Sequence, residues 1–350
     1  MDLSLTESQA ILVDSFNDFF AKECPMTLVR ETEIIGFSPE LWQKFSKMGA
    51  PGMGLPESVG GLGMELLELC LVASAGGKVL APLPFAEVAS AGRLLARFSN
   101  DNERIRHIVA GSEIISLLPI SSNISEAHKL VPWGGVANSL LTLEGQSLVL
   151  YSNGEQRRSV VPSNLGAAAH SFWNLLEKDA SVRIELASGT EVVEAFEIAL
   201  AEWKLLIAAA QIGLCREALS IGVRYANTRE QFGTLIGSFQ AIAHPLADCL
   251  SRTDGAELLV WEAAWSATEE REQFKELSVM AFVFASQTAK ETASVSLHTH
   301  GGYGFTEEYD IQLYYRRAAA WAMMAGGIRN GLLSISAERY NNKSKNNRGG

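Results

Sequence analysis

Apolar residues recur with helical spacing through the first part of the chain. The clearest stripe comprises Ile11, Leu12, Phe16, Phe19 and Phe20. Ser4 and Glu7 precede this stripe with the spacing of a capping box, which predicts the start of a helix. Ser38, followed by a proline, predicts the start of another helix in the same way. The pattern therefore predicts a helical N-terminal domain over residues 1–108.

The pattern changes between residues 109 and 200, where short runs of strand-forming residues alternate with polar breaks. These runs lie at 114–118, 139–143 and 147–151. Residues 182–186 alternate between apolar and polar side chains, as in a strand with one buried face. We therefore predict a small middle β domain over 109–200, in which Trp173 belongs to the core.

Helical patterns return in the last part of the chain. The segment from Ala195 to Tyr225 is apolar nearly all round, which predicts a helix buried in a bundle. The segment from Gln273 to Thr299 is rich in alanine and other small residues, as close helix packing requires. The pattern predicts a helical bundle over 201–340 and a polar, disordered tail over 341–350.

Composition narrows the class of protein. A chain of 350 residues with 47% hydrophobic and 20% charged residues is typical of a globular protein of two or three domains. The net charge of −11 argues against binding to nucleic acid or to an anionic membrane. We found no signal peptide and no apolar run long enough for a membrane span, and we expect a cytoplasmic protein. The four dispersed cysteines suggest buried thiols rather than disulfides or a metal site.

Two separated segments carry the candidate ligand chemistry. The first, YANTREQFGTLIGSFQ, contains Arg229, whose guanidinium is a planar donor fork suited to phosphate oxygens. The second, HTHGGYGF, contains Gly301 and Gly302, which allow a backbone to approach a ligand closely. Each segment alone is equally compatible with a simple elbow between helices or a tight turn.

Taken together, these motifs resemble those of the acyl-CoA dehydrogenase family of flavoproteins. The Arg-x-x-Phe-Gly, Phe-Gln and Gly-Gly-x-Gly motifs occur in the family's order, with PESVGGLGM, LVPWGGVANSLL and YYRRA in their expected places. The resemblance spans most of the chain. It implies a mainly α fold with an N-terminal helical domain, a middle β domain and a C-terminal four-helix bundle.

The resemblance also implies FAD as cofactor, an acyl-CoA substrate and electron-transfer flavoprotein as electron acceptor. In this family, one subunit holds the pyrophosphate and adenine half of the FAD whose flavin ring lies in its neighbour. The residues that the resemblance places at the cofactor are Arg229, Phe232, Gln240, His298, Gly301 and Gly302. His298 stands where the family often has glutamine, and no metal is implied.

The catalytic base is missing from this pattern. In the resembled family a glutamate removes the α-proton of the thioester while the β-hydride passes to the flavin. The two positions at which the family places this glutamate correspond to Ala325 and Trp203. Glu202 is a weak substitute, because a neighbouring residue points about 100° away around a helix. A solvated or ion-paired Glu202 is the favoured interpretation.

The flavin contacts of the middle domain are also not recognisable, either at residues 119–123 or near residues 170–173. The family includes α2β2 heterotetramers that oxidise bulky thioesters such as steroid side chains, in which only one kind of subunit carries the glutamate. The present chain resembles the other kind. Three hypotheses remain: a subunit that acts with a paralogous catalytic partner, a self-sufficient homotetramer with Glu202 as base, or a non-catalytic scaffold.

Overall fold

The structure is a computed structural model that describes residues 4–99, 101–118, 128–152, 155, 163–175 and 183–346. The α-helices are α1 (Glu7–Glu23), α2 (Met26–Glu31), α3 (Pro39–Lys47), α4 (Leu66–Lys78), α5 (Phe85–Phe98), α6 (Asn102–Val109), α7 (Thr190–Ala226), α8 (Gln240–Glu269), α9 (Arg271–Thr299), α10 (Ile311–Trp321) and α11 (Gly327–Asn346). The strands are β1 (Ile115–Leu117), β2 (His128–Val131), β3 (Ser139–Glu144), β4 (Ser147–Tyr151), β5 (Ser171–Asn174), β6 (Arg183–Ser188), β7 (Glu230–Gln231) and β8 (Thr234–Leu235). A mainly helical chain with a small strand region confirms the predicted fold class.

The start of α1 differs from the prediction in detail. Thr6, rather than Ser4, precedes the first helical residue, so the capping box is formed by Thr6 and Gln9. The Thr6 N–H donates to Gln9 Oε1 at 3.0 Å, and the Gln9 N–H donates to Thr6 Oγ1 at 3.3 Å. The capping box predicted at Ser4 and Glu7 is therefore wrong, because Glu7 is the first residue of the helix, whereas the glutamate of a capping box is the third. Ser38 caps α3 as predicted.

Packing divides the chain into two compact units that do not follow chain order. The first unit comprises the described residues of Met1–Lys22, Cys70–Ala81 and Lys204–Gly350. The second unit comprises those of Glu23–Leu69 and Pro82–Trp203. Both α4 and α7 contribute residues to the two units. The division into domains at 1–108, 109–200 and 201–340 remains a prediction.

The strands of the second unit form two sheets. The larger has the order β1-β3-β4-β6, in which β1 and β3 are parallel and the other pairs are antiparallel. The smaller pairs β2 with β5, and Trp173 on β5 is fully buried and donates its indole N–H to the Gly134 carbonyl at 2.9 Å. Its predicted place in the core is confirmed. Helix α7 begins at Thr190, inside the segment predicted as β, because β6 ends at Ser188.

Helix α7 is the helix of the described chain that is long and apolar enough to cross a membrane by length and composition alone. Within the protein, 78% of its most apolar window is buried. An apolar surface all round is what a helix needs when other elements pack on every side. The buried helix predicted from Ala195 to Tyr225 is thereby confirmed.

Two glycines allow the first unit's parts of α4 and α7 to cross at close range. A Cβ atom on Gly213 would lie 1.9 Å from the Ser74 carbonyl oxygen, and one on Gly77 would lie 1.9 Å from the Ala210 carbonyl oxygen. Both contacts are with backbone, which cannot move aside as a flexible side chain could. The helices can therefore pack this closely only where a side chain is lacking.

Replacing Gly213 by alanine is expected to lower the free energy of unfolding by roughly 1–3 kcal/mol or more, as overpacking does. Gly255→Ala is the matched control, because its Cβ atom would meet Phe284 at an ordinary 3.6 Å within a helix. This control should stabilise the protein by about 0.5–1 kcal/mol, since glycine weakens a helix interior. Denaturant unfolding of both variants measures the difference, and equal stabilities would contradict the close crossing.

The C-terminal end differs from the prediction. Helix α11 continues through Asn346 and so includes part of the segment predicted to be disordered from residue 341, while residues 347–350 lie outside the described part of the chain. Extending an existing helix requires fixing only one residue for each new hydrogen bond. A polar composition is therefore a weaker stop signal after a helix than it is in an isolated segment.

Candidate functional site

The segment after α7 forms a β-hairpin, where the sequence had suggested an irregular loop. Strands β7 and β8 are joined by a two-residue turn at Phe232 and Gly233, whose φ angles are +55° and +79°. Positive φ at both positions is typical of a type I′ turn, which favours asparagine or glycine over a bulky aromatic residue. Phe232 is 94% exposed, and its ring meets that of Phe239 edge-on, with 6.2 Å between centroids. An exposed aromatic residue in a strained backbone conformation suggests a functional constraint.

Arg229 lies at the base of this hairpin with its backbone fixed. Its N–H donates to the Tyr225 carbonyl at 2.9 Å, and its carbonyl accepts from the Ile236 N–H at 2.9 Å. Ile236 belongs to a buried apolar cluster that also includes Ala226 and Leu246, so the hairpin is anchored in the core of the first unit. The Arg229 side chain is exposed, and no described residue forms an ion pair or hydrogen bond with its guanidinium. The donor fork is therefore available to a ligand.

A 3-10 turn over Gly301–Phe305 follows α9, and its glycines have different causes. A Cβ atom on Gly304 would lie 2.5 Å from the Leu297 carbonyl oxygen, so close packing explains that glycine. Gly301 has a φ of +61°, which the backbone explains. Neither close packing nor a positive φ requires the glycine at position 302: a Cβ atom on Gly302 would meet nothing within 4 Å, and its φ is not positive. Its bare backbone faces open space, where a ligand can approach.

The hairpin and the glycine turn lie next to each other in the first unit. Tyr225, just before Arg229, stacks on the His300 ring with 4.1 Å between centroids. Tyr309 contacts both rings edge-on, at 6.1 and 5.6 Å. Burial lowers the pKa of His300, although its Nδ1–H donates to the Ser296 carbonyl at 2.7 Å, which acts in the opposite direction. A neutral, stacked histidine therefore holds the two motifs together.

The predicted cofactor residues all lie in this region of the first unit and all are exposed. They are Arg229, Phe232, Gln240, His298, Gly301 and Gly302. Gln240 is the first residue of α8, and Phe239 before it provides no side-chain cap. No metal ligand set of three His, Cys, Asp or Glu residues occurs in the described ranges. His298 is exposed, whereas His300 is buried.

Trp203, one of the two positions at which the resemblance places the family's base, lies in the second unit. Trp203 is 1% exposed, and its indole N–H donates to Glu87 Oε1 at 3.0 Å. Burial raises the pKa of Glu87 to about 7, against the opposing effect of hydrogen bonds that include those from Trp203 and Trp133. Glu87 is not among the candidate residues predicted from the sequence. An acidic residue inside the almost wholly buried helix α5 was the available signal.

Glu202 is occupied by an ion pair with Arg93. The guanidinium of Arg93 donates to both carboxylate oxygens at 3.0 Å and also to the Gly54 carbonyl at 3.0 Å. Burial lowers the pKa of Arg93, but the charge and hydrogen bonds of Glu202 raise it more. Both oxygens of the weak candidate base are thus committed to structure. Ala325, the other position at which the resemblance places the base, lies in the 3-10 turn Met324–Gly326.

The raised pKa of Glu87 predicts a pH-dependent stability. From about pH 4.5 upward the unfolded carboxyl ionises, whereas the folded one stays protonated until about pH 7. The folded state therefore loses stability across this window, by about 3 kcal/mol at about 1.4 kcal/mol for each pKa unit. Glu87→Gln should remove this dependence. Urea unfolding of both proteins at pH 5 and pH 8 measures it, and parallel losses would contradict the assignment.

Sequence profiles of known families match both ends of the chain. The profile described as acyl-CoA dehydrogenase, N-terminal domain, matches residues 6–109. The profile described as acyl-CoA dehydrogenase, C-terminal domain, matches residues 189–340, so the two matches together cover well over half of the chain. The chain belongs to the acyl-CoA dehydrogenase family. Members of this family are FAD-dependent oxidoreductases that act on the CH–CH bond of acyl-CoA thioesters.

Individual family members match over nearly their whole length. Acyl-CoA dehydrogenase IpdE2 of Mycolicibacterium smegmatis is 28% identical over 348 residues, covering 96% of this chain and 100% of the relative. Acyl-CoA dehydrogenase FadE27 of Mycobacterium tuberculosis is 28% identical over 378 residues, covering 97% and 98%. A chain in the crystal structure of the ChsE4-ChsE5 complex from Mycobacterium tuberculosis superposes with a TM-score of 0.85 at 26% identity, covering 97% and 99%. The predicted family is confirmed, whereas the roles of the individual site residues remain predictions.

Proposed function

We propose that this chain is a subunit of a FAD-dependent acyl-CoA dehydrogenase and contributes part of the FAD site to a paralogous catalytic partner. One observation carries the proposal: the chain presents an unoccupied donor fork beside a bare glycine turn, yet lacks a carboxylate at either base position. A subunit that catalysed the reaction alone would need both a cofactor site and a carboxylate base. The similarity to a chain of the ChsE4-ChsE5 complex supports a hetero-oligomer.

The exposed residues of the first unit fit the phosphate and adenine part of FAD. Arg229 offers two parallel donors to pyrophosphate oxygens, an arrangement that an ammonium group cannot reproduce. Gly301 and Gly302 leave room for the cofactor to approach the backbone. Gln240 adds a polar side chain at the start of α8. FAD, when bound, supplies the flavin ring that accepts the hydride.

The exposure of the hairpin supports a site shared between subunits. Phe232 places an aromatic ring almost wholly in solvent, and Tyr303 and Phe305 of the glycine turn are 53% and 70% exposed. Aromatic side chains are enriched in the buried centres of protein interfaces. A bound cofactor and a neighbouring subunit together would cover these rings, which are exposed to solvent in the isolated chain.

The alternative of a self-sufficient enzyme with Glu202 as base is disfavoured by the ion pair with Arg93. A base must reach the substrate α-carbon with a free oxygen atom. If the Glu202 carboxylate left this ion pair to reach a substrate, the largely buried Arg93 would lose its counter-charge. We therefore assign proton abstraction to the partner. The proposed substrate is an acyl-CoA with a bulky, steroid-type acyl group, and electron-transfer flavoprotein is the proposed acceptor.

An absorbance scan near 450 nm tests the proposal directly. The chain is purified alone and after co-expression with a catalytic paralogue that carries the family's glutamate. We expect flavin absorbance and acyl-CoA turnover in the co-purified complex and neither in the chain alone. Flavin and turnover in the chain alone would favour the self-sufficient enzyme. A complex that retains no more flavin than the paralogue by itself would favour a scaffold.

A further inference from the structure

A buried carboxyl group lies directly against the tryptophan that stands at the base position. Glu87 on α5 is 1% exposed, and its side chain accepts from the Trp203 indole N–H at 3.0 Å. No described arginine or lysine forms an ion pair with it. The carboxyl group therefore fixes the plane of the large Trp203 ring through this hydrogen bond.

A second tryptophan near Glu87, Trp133, has a strained backbone. Its φ is +54° and its ring is buried. The backbone N–H of Trp133 donates to Nδ1 of His170 at 3.1 Å, and burial lowers the pKa of His170 to about 4, so the imidazole stays neutral and can accept. A bulky residue keeps such a conformation only where its surroundings determine it. The cluster of Glu87, Trp133, His170 and Trp203 is therefore fixed from several sides within the second unit.

Stability alone does not explain this carboxyl group. A carboxylate buried without a cation is unfavourable, and an apolar residue of similar size would remove that penalty. The nearest comparison is Glu202, one residue before Trp203, which has the full ion pair with Arg93 that Glu87 lacks. Glu87 provides what an apolar residue cannot, namely a hydrogen-bond acceptor for the Trp203 indole.

We propose that Glu87 is a positioning residue that locks the Trp203 indole in the place of the missing base and so closes this chain's own acyl position to thioesters. The proposal rests on the proposed function, because that function identifies Trp203 as the substituted base position. A catalytic base must lie against the α-carbon of the thioester. A fixed indole in its place occupies volume that a glutamate and substrate would share. The chain is then closed to substrate as well as unable to react with it.

Binding of a thioester that cannot be dehydrogenated tests this closure separately from catalysis. The probe is an acyl-CoA in which sulfur replaces the β-carbon, measured by calorimetry on the chain alone and on the complex with its partner. We expect no binding to the wild-type chain. Trp203→Ala should bind roughly one additional equivalent per subunit, because removing a large buried ring leaves a cavity that the acyl group can enter. Glu87→Ala should also gain binding, whereas Glu87→Gln should not, because its amide oxygen still accepts the indole N–H.

Trp42→Ala is the matched control, since Trp42 is another buried indole of the second unit, which donates to the Gly111 carbonyl at 2.8 Å. It should create a cavity without thioester binding. Binding to the wild-type chain, or no gain in Trp203→Ala, would overturn the proposal even if the complex turns over as expected. A complex without turnover whose variants still gain binding would overturn only the proposed function.

Acrylamide quenching provides a second readout should Trp203→Ala fail to fold. The Trp203 emission is obtained as the difference between each protein and the same protein carrying Trp203→Phe. Glu87→Ala should make this emission more quenchable, because the indole is released, and Glu87→Gln should restore the protection. Identical quenching in the wild type and both variants would show that Glu87 does not position the ring.

Discussion

In the complex, replacing the partner's catalytic glutamate by glutamine is expected to reduce turnover by roughly 10²–10⁴-fold, the usual effect of losing a general base. Glu202→Gln in this chain should leave turnover unchanged, because both oxygens of Glu202 are bound to Arg93. The reduction of a dye acceptor at saturating acyl-CoA measures both effects.

Glu202→Gln should instead be visible in stability. Arg93 would lose a counter-charge in a site where its side chain is 30% exposed, and we expect a loss of about 1–3 kcal/mol in the free energy of unfolding. The two measurements separate structure from chemistry. If the glutamine variant unfolded normally but lost turnover as severely as the partner variant, Glu202 would be the base and the self-sufficient enzyme would be correct.

Arg229→Ala is expected to weaken the retention of FAD by the complex about ten-fold or more, since a charged bidentate contact contributes roughly 1.5–3 kcal/mol. Arg229→Lys should recover only part of the loss, because an ammonium group cannot form the parallel fork. The flavin remaining after dialysis, measured by absorbance, gives the affinity of each variant.

Arg224→Ala is the control for this experiment. Arg224 is an exposed arginine in the last turns of α7, shortly before Arg229 in the chain, but its guanidinium is bound to Glu217 at 3.0 Å and to Ser220 at 2.7 Å. Its loss should leave flavin retention unchanged. Equal flavin contents in the Arg229 and Arg224 variants would remove Arg229 from the cofactor site.

Periodicity predicts the individual elements but carries no information on how they pack into units. The apolar stripe of α1, the strands around residues 115–151 and the buried helix α7 each carry a local pattern with a single physical meaning. The assignment of α4 and α7 to both packing units depends on tertiary contacts, such as those of Gly77 and Gly213 with backbone atoms of the other helix. A glycine within an apolar run gives no indication of which backbone it approaches.

Candidate site residues can be named from sequence where the chemistry is carried by one residue type. Arg229 and Gly302 are such candidates, because a phosphate ligand needs a donor fork and close backbone approach, and their roles remain predictions. The hairpin was not identified, because Phe232 is an unfavourable residue for the positive φ of its turn. Glu87 was missed because its partner Trp203 lies on another helix, and no local pattern connects the two.

The most direct test of the central claim compares the purified wild-type chain, supplied with FAD, with its complex on a panel of thioesters from short straight-chain to steroid-type acyl groups. The rate of dye reduction is the measured quantity. We predict that the complex dehydrogenates at least one thioester of the panel, whereas the chain alone stays at background on all of them. Robust turnover by the chain alone would contradict the assignment of the base to a partner subunit.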